Sequence, residues 1–347
     1  MLATEAQNLD ELAEVESGKL RIVSRRFPSR LRSSRLATLA GYAMPRSDIE
    51  HGLFSYVFPG ARCGKVITLH DVSVLIDGFH PREGLTSRRA MLADTIRRAT
   101  KIVCSSESTR SEVHRYFPDC VSKTARVYCG VDDVSSASSS ELTWDVLPPS
   151  GNDKDVILAV GTIEPRKNYD TVLDAYEELL RVQDGANTVL VVVGAEGWEC
   201  GRTVARLRSL EAAGKLIWRR SVTDQELAAW YHRSSLFTYL SLYEGFGYPP
   251  FEAALANVPM VLSNQSSVGE LWSGRALCVD PTDSFAIVSA WQKVLTAAAE
   301  FRQQLVHTQR TWAVQFTWAR SVGEYVDQYI GACTEDQVHG HIRVTKC

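Results

Sequence analysis

Six consecutive residues, Thr188-Val189-Leu190-Val191-Val192-Val193, constrain this chain more than any other stretch. An unbroken apolar run with no polar alternation has no face to offer water, so it predicts a strand covered on both sides. Such strands belong to parallel sheets flanked by helices. Around it, residues 155–160, 216–219, 236–240 and 260–262 read as further strands. A helix is predicted over 168–182, with Val172, Leu173, Tyr176, Leu179 and Leu180 on one face, and others over 283–299 and 320–330. Upstream, 19–23, 65–69 and 101–104 read as strands. Residues 90–100 and 107–116 read as helices, the second stopped near Pro118.

Between these two series the texture changes. Serine fills most of 135–140 and Pro148-Pro149-Ser150-Gly151-Asn152 follows, a linker by composition. The predicted organisation is a disordered lead over 1–18, a first α/β domain over 19–134 and a linker over 135–153. A second α/β domain over 154–318 follows, then a helix over 319–332 crossing back to the first domain, and a frayed tail over 333–347. A ligand is expected in the cleft between the two domains.

Composition narrows the function classes. The net charge of −3 argues against a nucleic-acid partner. The eight cysteines contain no C-x-x-C pair, which predicts reduced thiols in a cytoplasmic protein. No apolar run approaches the ~20 residues that a membrane-spanning helix needs. One stretch stands apart: 17–47 holds no acidic residue but carries Lys19, Arg21, Arg25, Arg26, Arg30, Arg32, Arg35 and Arg46, interleaved with Phe27, Leu31, Leu36 and Leu39. It reads either as a peripheral contact with an anionic membrane, at 19–46, or as a solvated helix face.

The densest chemistry lies in Tyr243-Glu244-Gly245-Phe246-Gly247-Tyr248-Pro249-Pro250-Phe251-Glu252. It follows a predicted strand and enters a helix expected over 251–257, with proline suited to the helix start. Strand, glycine turn and helix entrance together mark a ligand edge in an open α/β sheet. Glu252 can accept hydrogen bonds from a ribose diol, or merely complement the helix dipole. Upstream, Gly161-Thr162-Ile163-Glu164-Pro165-Arg166-Lys167-Asn168 puts two cations at a helix entrance, a place for a diphosphate. Downstream, Ser263-Asn264-Gln265-Ser266-Ser267 reads as ligand contact or as an ordinary helix cap. Walker A, G-x-G-x-x-G and nucleophile-elbow patterns are absent.

These motifs in order resemble the donor half of retaining GT-B glycosyltransferases of the group 1 type (glycosyltransferase family 4), nearest to its mannosyltransferase-like branch. The likeness rests on Gly161-x-x-Glu-Pro-Arg-Lys-Asn168, Gly194-x-x-Gly-Trp198, Glu244-Gly-Phe-Gly-x-Pro-x-x-Glu252 and Ser263-Asn-x-Ser-Ser-x-x-Glu270. His70-Asp71, Ser106-Glu107-Ser108-Thr109-Arg110 and Gly130-Val131-Asp132 are similar to elements of its first half. The resemblance implies two Rossmann-like, doubly wound domains around a cleft, the first short and without the usual opening strand and glycine loop. It implies that Arg166 and Lys167 hold the donor diphosphate, that Glu252 binds the ribose and that Glu244 contacts the sugar. Phe246 and Gly247 would offer main-chain contacts, His70 would reach a sugar hydroxyl, and Thr162, Val222 and Ser266 would line the nucleotide site. Glu244, His70, Arg166 and Lys167 are thus the catalytic candidates.

The implied reaction moves a hexose, mannose preferred, from a nucleoside-diphosphate sugar to a glycan or lipid-linked glycan, with retention and with no metal or resident cofactor. Fixed cations would stabilise the departing diphosphate. A non-catalytic nucleotide-sugar binder and a GT-B epimerase are the alternative readings. The implied location is cytoplasmic, peripheral at the inner face of the plasma membrane.

Overall fold

The computed structural model describes residues 48–53, 57, 63–133, 154–182 and 187–339, with side chains placed as far as Cys333. The predicted lead, the strand at 19–23, the basic stretch 19–46, the opening of the first domain and the linker at 135–153 lie outside the described residues. All described residues belong to one compact unit.

The described residues build two parallel sheets. The first comprises β1 (Ile49–Gly52), β2 (Gly64–Leu69), α1 (Leu85–Arg98), β3 (Lys101–Cys104), α2 (Glu107–Tyr116) and β4 (Thr124–Arg126), with strand order β1-β2-β3-β4. The second begins with β5 (Asp155–Val160), α3 (Tyr169–Arg181), β6 (Thr188–Val193), α4 (Gly201–Ala212), β7 (Leu216–Arg219) and α5 (Asp224–Arg233). It continues with β8 (Leu236–Tyr239), α6 (Tyr248–Leu255), β9 (Met260–Ser263), α7 (Ser266–Trp272), β10 (Leu277–Val279) and α8 (Ser284–Leu295). Its strand order is β7-β6-β5-β8-β9-β10, every neighbouring pair parallel. Helices α9 (Ala299–Ala313) and α10 (Trp318–His339) close the chain.

Strand β6 shows why a continuous apolar run was needed. Leu190 and Val192 enter a core shared with Val172, Leu173, Tyr176 and Leu179 of α3. Val189, Val191 and Val193 enter a second core on the opposite face, with Trp230, Phe237, Phe251 and Trp272. Neither face sees water. The four-stranded sheet has a smaller core of Ile67, Leu69, Ile96, Ile102 and Val113. Its other face is covered from far along the chain, where Ala332 of α10 packs among Val66, Val103 and Val127. Tyr325 and Tyr329 of that helix hydrogen-bond the sheet at Thr68 (2.8 Å) and His51 (2.7 Å).

Several predicted boundaries move. Helix α1 starts five residues before the expected 90, following a left-handed Gly84 (φ 67°). The helix expected over 283–299 ends at Leu295, and an unpredicted helix, α9, starts at Ala299 after an extended Ala298 (ψ 151°). Helix α6 begins at Tyr248, with Pro249 and Pro250 in its first turn, since left-handed Gly247 (φ 86°) turns the chain early. Glu252 therefore lies one turn deeper than expected. The tail expected from 333 is helical as far as His339.

Candidate functional site

Strands β5 and β8 lie side by side, yet the chain leaves β5 toward one edge of the sheet and β8 toward the other. Their loops diverge at the carboxyl end and leave a crevice, the place where open α/β sheets take ligands. Both cation-bearing and carboxylate-bearing segments fall there. After β5 the chain makes a short 3-10 turn, Pro165–Lys167, ending on left-handed Asn168 (φ 59°). The Asn168 amide donates to the carbonyls of Leu240 (3.2 Å) and Pro281 (2.6 Å). The Leu242 N–H donates to the Arg166 carbonyl at 2.8 Å. The two loops are thereby tied together by main chain.

Their side chains form one ion cluster. Lys167 Nζ donates to Glu244 Oε1 (2.6 Å) and Arg166 to Glu244 Oε2 (2.7 Å). Arg166 Nε also meets Glu164 Oε1 at 2.5 Å. The Tyr239 hydroxyl, at the end of β8, donates to Glu244 Oε1 at 2.8 Å and receives Lys167 Nζ at 2.6 Å. Two cations and two carboxylates thus neutralise one another in a site where the Glu244 side chain is 7% exposed. Burial opposes ionisation of Glu244, but Lys167 and Arg166 outweigh it and hold its pKa below the ordinary carboxylate value. Burial pushes the Glu164 carboxyl up instead, against the pull of Arg166.

The remaining predicted residues make contacts of their own. Glu252 is half-buried in α6, accepts the Tyr231 hydroxyl at 2.7 Å, and has its pKa raised by burial. The Phe246 ring is buried, stacked on Phe251 at 4.8 Å, so it serves the core. The Ser266 hydroxyl accepts the Glu244 N–H (2.9 Å), and Ser267 donates to the Glu244 carbonyl (2.9 Å). These contacts are not a helix cap: they fix the main chain on which Glu244 stands. Val222 is half-buried between β7 and α5, and Thr162 is exposed beyond β5. His70 follows β2 with an exposed side chain, yet desolvation by surrounding protein lowers its pKa, and a hydrogen bond with the Leu53 main chain and the charge of Asp71 offset this only in part.

Main chain from the two sheets meets at one point. A Cβ on Gly245 would run into the His70 carbonyl, so only glycine fits. Ser105 Oγ bridges there to the carbonyls of His70 (2.6 Å) and Gly245 (2.9 Å). Trp198 of the Gly-x-x-Gly-Trp stretch reaches across to donate to the Phe79 carbonyl (2.9 Å) and stacks on His80 at 5.6 Å.

Sequence reasoning missed Glu164 and Tyr239 as members of the cluster. Tyr239 ends a buried strand, where a phenol must find a polar partner. That signal was available. Glu164 had none beyond its place beside Arg166.

Residues 145–312 match the family described as glycosyl transferases group 1. That segment is a group 1 glycosyltransferase domain. The O-antigen chain mannosyltransferase B of Escherichia coli is 26% identical over 356 residues, covering 93% of this chain and 88% of that one. A glycosyltransferase from Rickettsia africae superposes with a TM-score of 0.69 at 14% identity, over 95% of this chain and 88% of that one. An α,α-trehalose-phosphate synthase (UDP-forming) from Burkholderia vietnamiensis does so with a TM-score of 0.68 at 15% identity, over 88% of this chain and 78% of that one. The glycosyltransferase domain thus sits in a GT-B fold. Among the described residues no helix is long and apolar enough to cross a membrane.

Proposed function

We propose that the chain transfers a hexose, mannose preferred, from a nucleoside-diphosphate sugar to a glycan or lipid-linked glycan, with retention and without a metal ion. The observation that carries this reading is the convergence of Arg166 and Lys167, from the loop after β5, with Glu244, from the loop after β8, in the crevice where the strand order reverses. The mannosyl preference draws on the E. coli relative.

In this reading Arg166 and Lys167 bind the diphosphate and stabilise the charge it gains on departure, most strongly as the glycosidic bond breaks. Glu244 faces the donor sugar, beside the main chain of Phe246 and Gly247, and Glu252 the ribose, with Thr162, Val222 and Ser266 lining the nucleotide. His70 reaches the sugar from the first sheet, whose domain over 19–134 holds the acceptor. Attack comes from the face the diphosphate leaves, and the departing phosphate takes the acceptor's proton. The basic stretch 19–46 meets the inner face of the membrane, where a lipid-linked acceptor would be found.

A thermal-shift screen across GDP, UDP, dTDP and ADP tests the site, because a ligand that binds only the folded state raises its melting point. GDP is expected to give the largest rise. Absence of a rise with every nucleotide overturns the reading.

A further inference from the structure

The amino terminus of α2 needs partners for its first amide groups, which have none inside the helix. Ser106 Oγ accepts the third of these, from Thr109, at 3.0 Å. The first two go to a carboxylate from the other sheet's domain. Glu107 N–H donates to Glu270 Oε1 (2.9 Å) and Ser108 N–H to Glu270 Oε2 (2.6 Å). The Tyr128 hydroxyl, just past β4, adds a third bond to Glu270 Oε1 at 2.8 Å. Glu270 itself stands in α7, whose first residues fix the Glu244 main chain.

The same turn of α2 also grips the site loop. Ser105 and Thr109 both donate to the Gly245 carbonyl, at 2.9 and 3.3 Å. One helix end of the four-stranded domain is therefore held on two sides: by Gly245, next to the ion cluster, and by a charged cap from α7. A carboxylate on free N–H groups at a helix start is favoured by the helix dipole as well as by the hydrogen bonds.

We infer that Glu270 is a positioning residue that locks the α2 amino terminus onto the donor domain, fixing how the Glu244–Gly245 loop meets the residues after β2. This rests on the reading of the site given above. Nucleotide binding, which uses side chains of the donor domain, should not need the lock. Transfer should, since both domains must face one substrate pair in register, and a misplacement of about 1 Å can cost about 10²-fold in rate.

The test uses the full chain and two variants, Glu270→Gln and Tyr128→Phe. GDP affinity is measured by calorimetry, turnover as sugar release from GDP-mannose and UDP-glucose, and hydrogen exchange at the Glu107 and Ser108 amides. Glu270→Gln should leave GDP affinity within about twofold, lower turnover by about 10- to 100-fold, and speed exchange at both amides. Tyr128→Phe should do the same to a smaller degree. Unchanged turnover, amides that stay protected, or GDP affinity falling in step with turnover would each overturn the inference. If the parent chain binds no nucleotide and turns over neither donor, the functional reading fails separately, and exchange at the two amides still decides whether Glu270 holds the helix.

Discussion

The two sheets of this protein are completed in different ways. The six-stranded sheet carries its own cores on both faces and its own counter-charges, since Glu164 and Glu244 neutralise Arg166 and Lys167 from loops of the same domain. The four-stranded sheet borrows. One of its faces is sealed by α10 from the far end of the chain, through Ala332, Tyr325 and Tyr329. A self-sufficient domain can keep a charged site pre-formed, whereas a borrowed one ties its integrity to the whole chain's being in place.

Lys167→Ala breaks the self-sufficiency most directly. It strands Glu244 with one cation fewer in a buried site, and removal of one partner of a buried pair costs about 3–5 kcal/mol. Turnover of a nucleotide sugar should fall by more than about 10²-fold, and urea unfolding should show the stability loss. A melting curve and a turnover rate both unchanged would show that the cluster neither binds nor supports. Overfilling the borrowed face is the matching test. Ala332→Leu, at a fully buried position, should cost about 2–3 kcal/mol. Nucleotide affinity should hold while proteolysis of the four-stranded region speeds up. Equal sensitivity of both regions would erase the contrast.

The borrowed face also carries a pH signature. Burial, with a smaller push from His70, lowers the His51 pKa to about 4. His51 is wedged between Thr68 (2.8 Å) and Tyr329 (2.7 Å). With the folded value below the unfolded one, the neutral ring favours folding above about pH 6.5. That contribution shrinks as pH falls from about 6.5 to about 4, by on the order of 3 kcal/mol. Melting temperatures of the parent and His51→Gln, followed from pH 7.5 to 4, should converge at the acid end. Parallel curves would remove His51 from the account. The smallest effect is expected at Glu252→Gln. Nucleoside-diphosphate affinity should drop by about tenfold, or 1.4 kcal/mol, with stability nearly unchanged, and calorimetry reads both GDP and UDP.

The contrast also explains what could be read in advance. Strands β5, β6 and β7 stand where their runs predicted; for β5 and β6 the reason is that a strand buried on both faces writes its burial into its own composition. Strands β1, β4 and β10 were missed: Ile-Glu-His-Gly, Thr-Ala-Arg and Leu-Cys-Val are short, and their pairing is set by neighbours distant in sequence. Helix α5 was missed although Thr223 and Glu226 form a capping box, a local signal that was present. The site's charged residues were legible because glycine, proline and cations crowd one loop. That Glu244 would hold both cations itself was not legible, since it depends on β5 and β8 being neighbours across 75 residues or more.

The meeting of Gly245 with the His70 carbonyl has a bearing on attempts to alter the contact between the sheets. There peptide meets peptide, so any side chain in place of the glycine hydrogen would push the two sheets apart. The Trp198–His80 ring pair, by contrast, joins the two halves through side chains, so substitution there can loosen the contact without a main-chain collision.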